Sequence, residues 1–78
     1  MQKLDIYNGV FIEILDVGNA ALSELSYQSI SQWDSVGHMR LMAGIESAFG
    51  IMLDTEDIVG FSSYETGKEI LRKYGVEL

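Results

Sequence analysis

No cysteine occurs anywhere in this chain, so its 78 residues must be held together by packing alone. A domain of this size buries only about 60% of the surface its unfolded chain exposes, close to the lower limit for folding without disulfides or metal. The same absence removes zinc clusters and a cysteine nucleophile from the available chemistry. Thioester chemistry here would need a thiol supplied by a prosthetic group. Hydrophobic residues make up 47% of the chain, which suits a packed globule rather than a disordered segment. Residues 1–78 have room for one domain of three or four helices, and none for a deep enzyme cleft with walls of its own.

Proline is also absent, so glycine and polar caps supply the punctuation. The first segment, from about Gln2 to Val17, repeats Leu4, Tyr7, Val10 or Phe11, Ile14 and Leu15 at helical spacing. Gly9 weakens this helix by about 1 kcal/mol relative to alanine, and Gly18 suits the left-handed position that follows a helix end. Residues 18–33 form a long connection, tacked down by Ala20, Ala21, Leu22 and Leu25 and closed by Trp33. Connections of this length in a compact domain are functional or carry local turns.

The second helix begins at Asp34 or Ser35 and stops at Gly50, with Val36, Met39, Met42, Ile45 or Glu46, and Phe49 on one broad stripe. Met39 and Met42 read as core. Ile51-Met52-Leu53 reads as a buried loop because no partner strand exists. Asp54 then caps a short helical turn over Thr55 to Val59, with Asp57 completing something close to a capping box. Asp54, Glu56 and Asp57 lack the spacing and glycine of a calcium loop, so no metal site is expected. The last helix is capped by Ser62 or Ser63, turns Ile70, Leu71 and Tyr74 inward, and ends at Gly75. Lys68, Arg72 and Lys73 complement its negative end. The expected fold is all-α, a small antiparallel bundle of three main helices plus a short third one.

Twelve acids against five bases give a net charge of −7. Such a surface repels nucleic acid and anionic membrane and suits partners with basic docking patches. No stretch has the apolar length of a transmembrane helix, and Met1-Gln2-Lys3-Leu4-Asp5 is too polar for a signal peptide. A monomer in the cytoplasm is expected.

Asp34-Ser35 is where chemistry is most readily placed. The first turn of a helix leaves backbone N–H groups unpaired at the positive end of the dipole, which favours a phosphate there. Asp34 can cap the helix and leave the Ser35 hydroxyl free, and Gly37 keeps the neighbouring surface low. Ser35 as a plain cap remains the competing reading. A Ser35–His38 hydrolase lacks an orienting third group, an oxyanion hole and a Gly-x-Ser-x-Gly elbow, so His38 reads as an exposed or docking residue and no enzyme is expected.

Asp34-Ser35-Val36, continuing through Gly37-His38-Met39-Arg40-Leu41-Met42, resembles the acyl carrier proteins, which carry 4′-phosphopantetheine on the serine of an Asp-Ser-Leu-type motif at the start of their second helix. Phe49-Gly50-Ile51, Asp54 to Ile58, and Phe61-Ser62-Ser63 followed by Gly67, Ile70 and Leu71 resemble the rest of that family's pattern, so the likeness spans nearly the whole chain. It implies an acyl group held as a thioester on an arm at Ser35, with Asp34 helping to place magnesium and coenzyme A in the active site of a phosphopantetheinyl transferase. It further implies an acyl-loading ligase and acyl-transferring or condensing enzymes as partners, docking around Val36, Met39, Arg40 and Glu46, although Val36 suits the core equally.

The departures from the pattern are specific. Trp33 replaces a common glycine, as a packing anchor or a wall beside the arm. The second helix carries His38 and Arg40, with Glu46 its only acid after Asp34. A polyketide, nonribosomal or surface-polysaccharide pathway is expected rather than the usual fatty acid enzymes. The alternatives are an aminoacyl or peptidyl carrier, or a helical interaction module without a prosthetic group.

Overall fold

The computed structural model describes residues 2–78, and these residues are all-α. Four α-helices run in the order α1 (Lys3–Leu15), α2 (Ser35–Phe49), α3 (Thr55–Gly60) and α4 (Tyr64–Arg72), with a 3-10 turn at Asn19–Glu24 between α1 and α2. Among the described residues there is no strand beyond one isolated antiparallel bridge between Ser26 and Ser63. None of these helices is long and apolar enough to cross a membrane.

In α1, Tyr7, Phe11 and Leu15 recur every fourth residue and are fully buried, whereas Leu4 stays exposed and Val10 and Ile14 are half-buried. The stripe is therefore narrower than the sequence pattern predicts. Val10 and Ile14 flank the crossing with α2. A Cβ on Gly44 would lie 3.0 Å from Val10 and 3.5 Å from Ile14, so this glycine lets the two helices approach closely. Gly18 is not the stop. Asp16 takes the left-handed conformation (φ 54°, ψ 53°) and Gly18 is extended. Aspartate tolerates that conformation better than most residues, and turning two residues early lets Val17 pack against the core.

The long connection is organised by its apolar residues. The 3-10 turn buries Leu22, and Leu25 follows into the core. Backbone bonds from the Tyr64 N–H to the Leu25 carbonyl (3.0 Å) and from the Tyr27 N–H to the Ser62 carbonyl (2.8 Å) tie the loop to the start of α4. Trp33 is the packing anchor, with no exposed surface. Its ring meets Phe11 edge-on at 5.7 Å, and Phe11 also contacts Tyr7 at 5.0 Å and Tyr64 at 5.3 Å. Aromatic pairs in such edge-on arrangements add to plain area burial. The Tyr7 hydroxyl donates to the Tyr64 carbonyl at 2.7 Å. Burial, reinforced by Tyr64 and Glu65, pushes the Tyr7 phenol far above its usual range, so it stays a neutral donor.

α4 is capped by Ser63, whose Oγ accepts from the Thr66 N–H at 2.9 Å, and not by Ser62. Its buried face is Tyr64, Gly67, Ile70 and Leu71. Tyr74 lies beyond the helix end and reaches sideways to α3, while Gly75 turns the chain (φ 80°) and Val76 returns to the core.

Two expectations around α3 need correction. Leu53 is buried but Met52 is exposed, so the Ile51–Leu53 run is only partly an interior loop. Asp54 occupies the N-cap position of α3 without a side-chain cap bond. Asp57 does not reach back to complete a capping box either. Its carboxylate is taken by Lys73 Nζ at 2.6 Å and by the Tyr74 hydroxyl, which in turn accepts from the Asp54 N–H at 3.0 Å. A charged donor outcompetes a backbone amide for that carboxylate.

Candidate functional site

α2 begins where its local chemistry says it should. Asp34 is extended, and its Oδ1 accepts from the Gly37 N–H at 2.8 Å. The capping is thus done by Asp34, and the Ser35 hydroxyl is left uninvolved on an exposed first turn. At the other end Gly50 adopts the left-handed conformation (φ 65°), and the N–H groups of Gly50 and Ile51 both reach the Glu46 carbonyl.

Gly37 does not lower an open surface. It is buried beneath the preceding loop, and a Cβ there would overlap the Gln32 carbonyl. The loop backbone therefore rests directly on the first turn of α2, which fixes Trp33 and Ser35 relative to each other.

The inward face of α2 is Gly37, Leu41, Met42 and Ile45. Of the two methionines read as core, Met42 is buried and Met39 is 55% exposed; Val36 is 67% exposed. Apolar residues lie on several sides of this helix, so the direction it faces is set by its neighbours. With Gly44 against α1, Met39 and Val36 are turned outward beside Ser35, where Arg40 is exposed as well. Val36, Met39 and Arg40 share that surface. Glu46, half-buried two turns beyond Met39 on the same side of α2, has its Oε2 accepting from the Leu53 N–H at 2.8 Å and braces the link to α3.

His38 is the largest departure from expectation. It is half-buried, and both ring nitrogens are engaged. Nδ1 accepts from the Trp33 indole N–H at 2.9 Å, and Nε2 donates to the Ile58 carbonyl at 2.7 Å. This geometry assigns the Nε2–H tautomer. The indole lies nearly parallel to the imidazole (15°), and Tyr27 meets the imidazole edge-on at 5.3 Å. His38 is a strut between α2 and α3.

A cleft of about 320 Å³ opens beside Ser35. α2 contributes Ser35, His38 and Met39 to it, and α3 contributes Ile58 and Val59. Phe61 and Ser62 close it from behind α3, and Tyr27 borders it from the loop. The lining is mainly apolar. The sequence pattern flags Phe61-Ser62 as part of the downstream likeness but gives no sign that Tyr27 and Val59 line the same cleft as Ser35, because the three come from separate segments of the chain.

The α3 wall is anchored by the Asp57–Lys73–Tyr74 cluster. Asp57 is only 7% exposed, yet it lies near the edge of the fold and is covered chiefly by those two side chains. The hydrogen bond from Lys73, then that from Tyr74, hold its carboxyl below the usual 3.8, outweighing the opposing effect of burial. Among the described residues, no group of three or more His, Cys, Asp or Glu side chains is placed to hold a metal ion.

No family model matches the chain, and no curated protein or solved structure matches it either.

Proposed function

We propose that this chain is an acyl carrier with 4′-phosphopantetheine attached to Ser35. The observation that carries this reading is the combination at the start of α2. Asp34 satisfies the helix cap, Ser35 presents a free hydroxyl at a positive helix end, and the same serine lines an apolar cleft of about 320 Å³. A serine acting only as a cap needs neither the neighbouring aspartate nor the cleft. The residues present fit the group: Ser35 is exposed for attachment, the unpaired N–H groups of the first turn favour its phosphate, and Met39 and Val59 offer exposed apolar surface beyond it. When bound, the group supplies the thiol that the chain lacks, on which an acyl cargo is held as a thioester.

The chain's own residues do the rest. Asp34 and Gly37 fix the angle at which Ser35 is offered to a phosphopantetheinyl transferase. Val36, Met39 and Arg40 form the surface that acyl-loading, acyl-transferring or condensing enzymes dock on, and tethering raises the cargo's effective concentration at each of them. Arg40 and the scarcity of acids along α2, where Glu46 is the only one and is engaged with Leu53, support a specialised polyketide, nonribosomal or surface-polysaccharide pathway in the cytoplasm. We read the helix arrangement as an acyl-carrier-like bundle. A hydrolytic role for Ser35 is disfavoured by His38, because neither ring nitrogen is left to accept the serine proton.

The test is incubation of the apo protein with coenzyme A and a broad-specificity phosphopantetheinyl transferase, followed by intact mass. The expected result is a gain of one phosphopantetheine that is lost in Ser35→Ala. No gain under conditions that load a control carrier refutes the reading and leaves a helical interaction module.

A further inference from the structure

The exposed face of α2 is opposite in charge to the chain as a whole, whose net charge is −7. Beyond Ser35, the exposed residues of this helix are Val36, Met39, Arg40, Ala43, Ser47 and Ala48, and Arg40 alone among them is charged. Glu46 is half-buried and engaged with the Leu53 N–H. Arg40 finds no partner along the helix, because the residues three and four positions away are Val36, Gly37, Ala43 and Gly44. Among the described residues the two ion pairs join Lys68 to Glu65 and Lys73 to Asp57, so the Arg40 guanidinium is unpaired. Val36, Met39, Arg40, Ala43 and Ser47 recur at helical spacing and form one strip. Val36 and Met39 make its apolar shoulder beside Ser35, and Ala43 and Ser47 are short enough to let another surface approach closely.

We infer that this strip receives an enzyme surface on which a carboxylate, set among apolar side chains, takes the Arg40 guanidinium. That the partner is an enzyme of acyl loading or transfer rests on the carrier reading of Ser35; the polarity of the strip does not. An unpaired guanidinium offers a planar fork that a carboxylate meets with two hydrogen bonds. A lysine or arginine at the same place would set like charges against each other in an apolar contact, which excludes that partner. The acids elsewhere do not reverse this preference. Asp34, at the helix cap, is about 9 Å from Arg40 along the axis, and exposed charges farther apart than about 8 Å are largely screened at physiological ionic strength. The net charge therefore acts at long range, and Arg40 acts at contact.

The experiment titrates the isotopically labelled full chain, in its apo form and at low salt, with two helical peptides followed by NMR. Both are built of leucine, alanine and glutamine, and they differ only in a central glutamate or lysine. The glutamate peptide is expected to shift the amide signals of Val36, Met39, Arg40 and Ala43 and the Arg40 Nε–H signal. It should bind about two- to fivefold more tightly than the lysine peptide, the factor an exposed ion pair contributes. Arg40→Ala should remove the preference and Arg40→Glu should reverse it, and both variants should melt like the wild type because the side chain is exposed. Equal or tighter binding of the lysine peptide to α2, a preference that survives Arg40→Ala, or no shift on α2 from either peptide overturns the inference. So does a shift of the same signals on concentrating the protein alone, which would make a second copy of this chain the occupant. Failure of the carrier reading shows separately, as no mass gain with coenzyme A and the transferase, since the peptide titration needs no prosthetic group.

Discussion

The same substitution, glycine to alanine inside a helix, should have opposite effects at Gly9 and Gly37. Both positions gain helix propensity, worth about 0.8–1 kcal/mol in a helix interior. At Gly9 an added methyl meets nothing within 4 Å, so that gain stands. The melting temperature of Gly9→Ala should rise by roughly 3–8 °C for a domain of this size. At Gly37 the methyl would overlap the Gln32 carbonyl oxygen and crowd its carbon at 3.1 Å and Asp34 Oδ1 at 3.3 Å. The obstacle is backbone, not the tip of a flexible side chain. The next residue is Trp33, fully buried and bonded through its carbonyl to the Gln28 N–H at 2.9 Å. Overpacking of this kind costs about 1–3 kcal/mol and occasionally more, and a backbone clash belongs at the upper end. After the propensity gain, Gly37→Ala should be destabilised by about 2 kcal/mol, a fall of roughly 8–16 °C. Thermal melts by circular dichroism, with urea titration followed by the fluorescence of the sole tryptophan, measure both variants. The m value should be unchanged if the native state alone is affected. If Gly37→Ala is as stable as Gly9→Ala, the loop does not rest on α2 as described, and the argument that it fixes Trp33 against Ser35 fails.

The division of labour at the start of α2 predicts that Asp34→Ala loses about 1 kcal/mol, whereas Ser35→Ala stays within about 0.5 kcal/mol of wild type; equal losses in urea titrations would assign capping to both residues. The Asp57 cluster predicts a pH dependence. A carboxyl held below its unfolded pKa stabilises the fold fully above that value and loses the contribution as pH falls through the folded one. Wild type should therefore lose stability as pH drops from about 4 downward, and Asp57→Asn should show a flatter acid limb with lower stability at neutral pH. Parallel acid limbs for the two proteins would remove Asp57 as the cause.

The local punctuation of this chain was legible because caps act over three or four residues. Asp34 and Gly50 bound the second helix as read, and Ser63 was one of two caps considered for the last. Asp16 was missed as the end of α1 because glycine is the stronger signal for a left-handed residue, and only the packing of Val17 favours the earlier turn. Met39 was misjudged for a related reason. The second helix has apolar side chains at Val36, Met39, Leu41, Met42, Ile45 and Phe49, and periodicity cannot rank two overlapping faces. The choice is made by α1, whose Val10 and Ile14 need the flat spot at Gly44.

By itself, the sequence determined an all-α chain without covalent staples and a helix opening at Asp34-Ser35, with either residue able to serve as its cap. Only the tertiary structure decided what that serine faces. The cleft exists because His38 reaches from α2 to Ile58, twenty residues away, and because Trp33 is buried deeply enough to hold the imidazole from the other side. Contacts at that separation leave no local periodicity, since they depend on how the loop and helices pack and not on the conformational preference of any short segment.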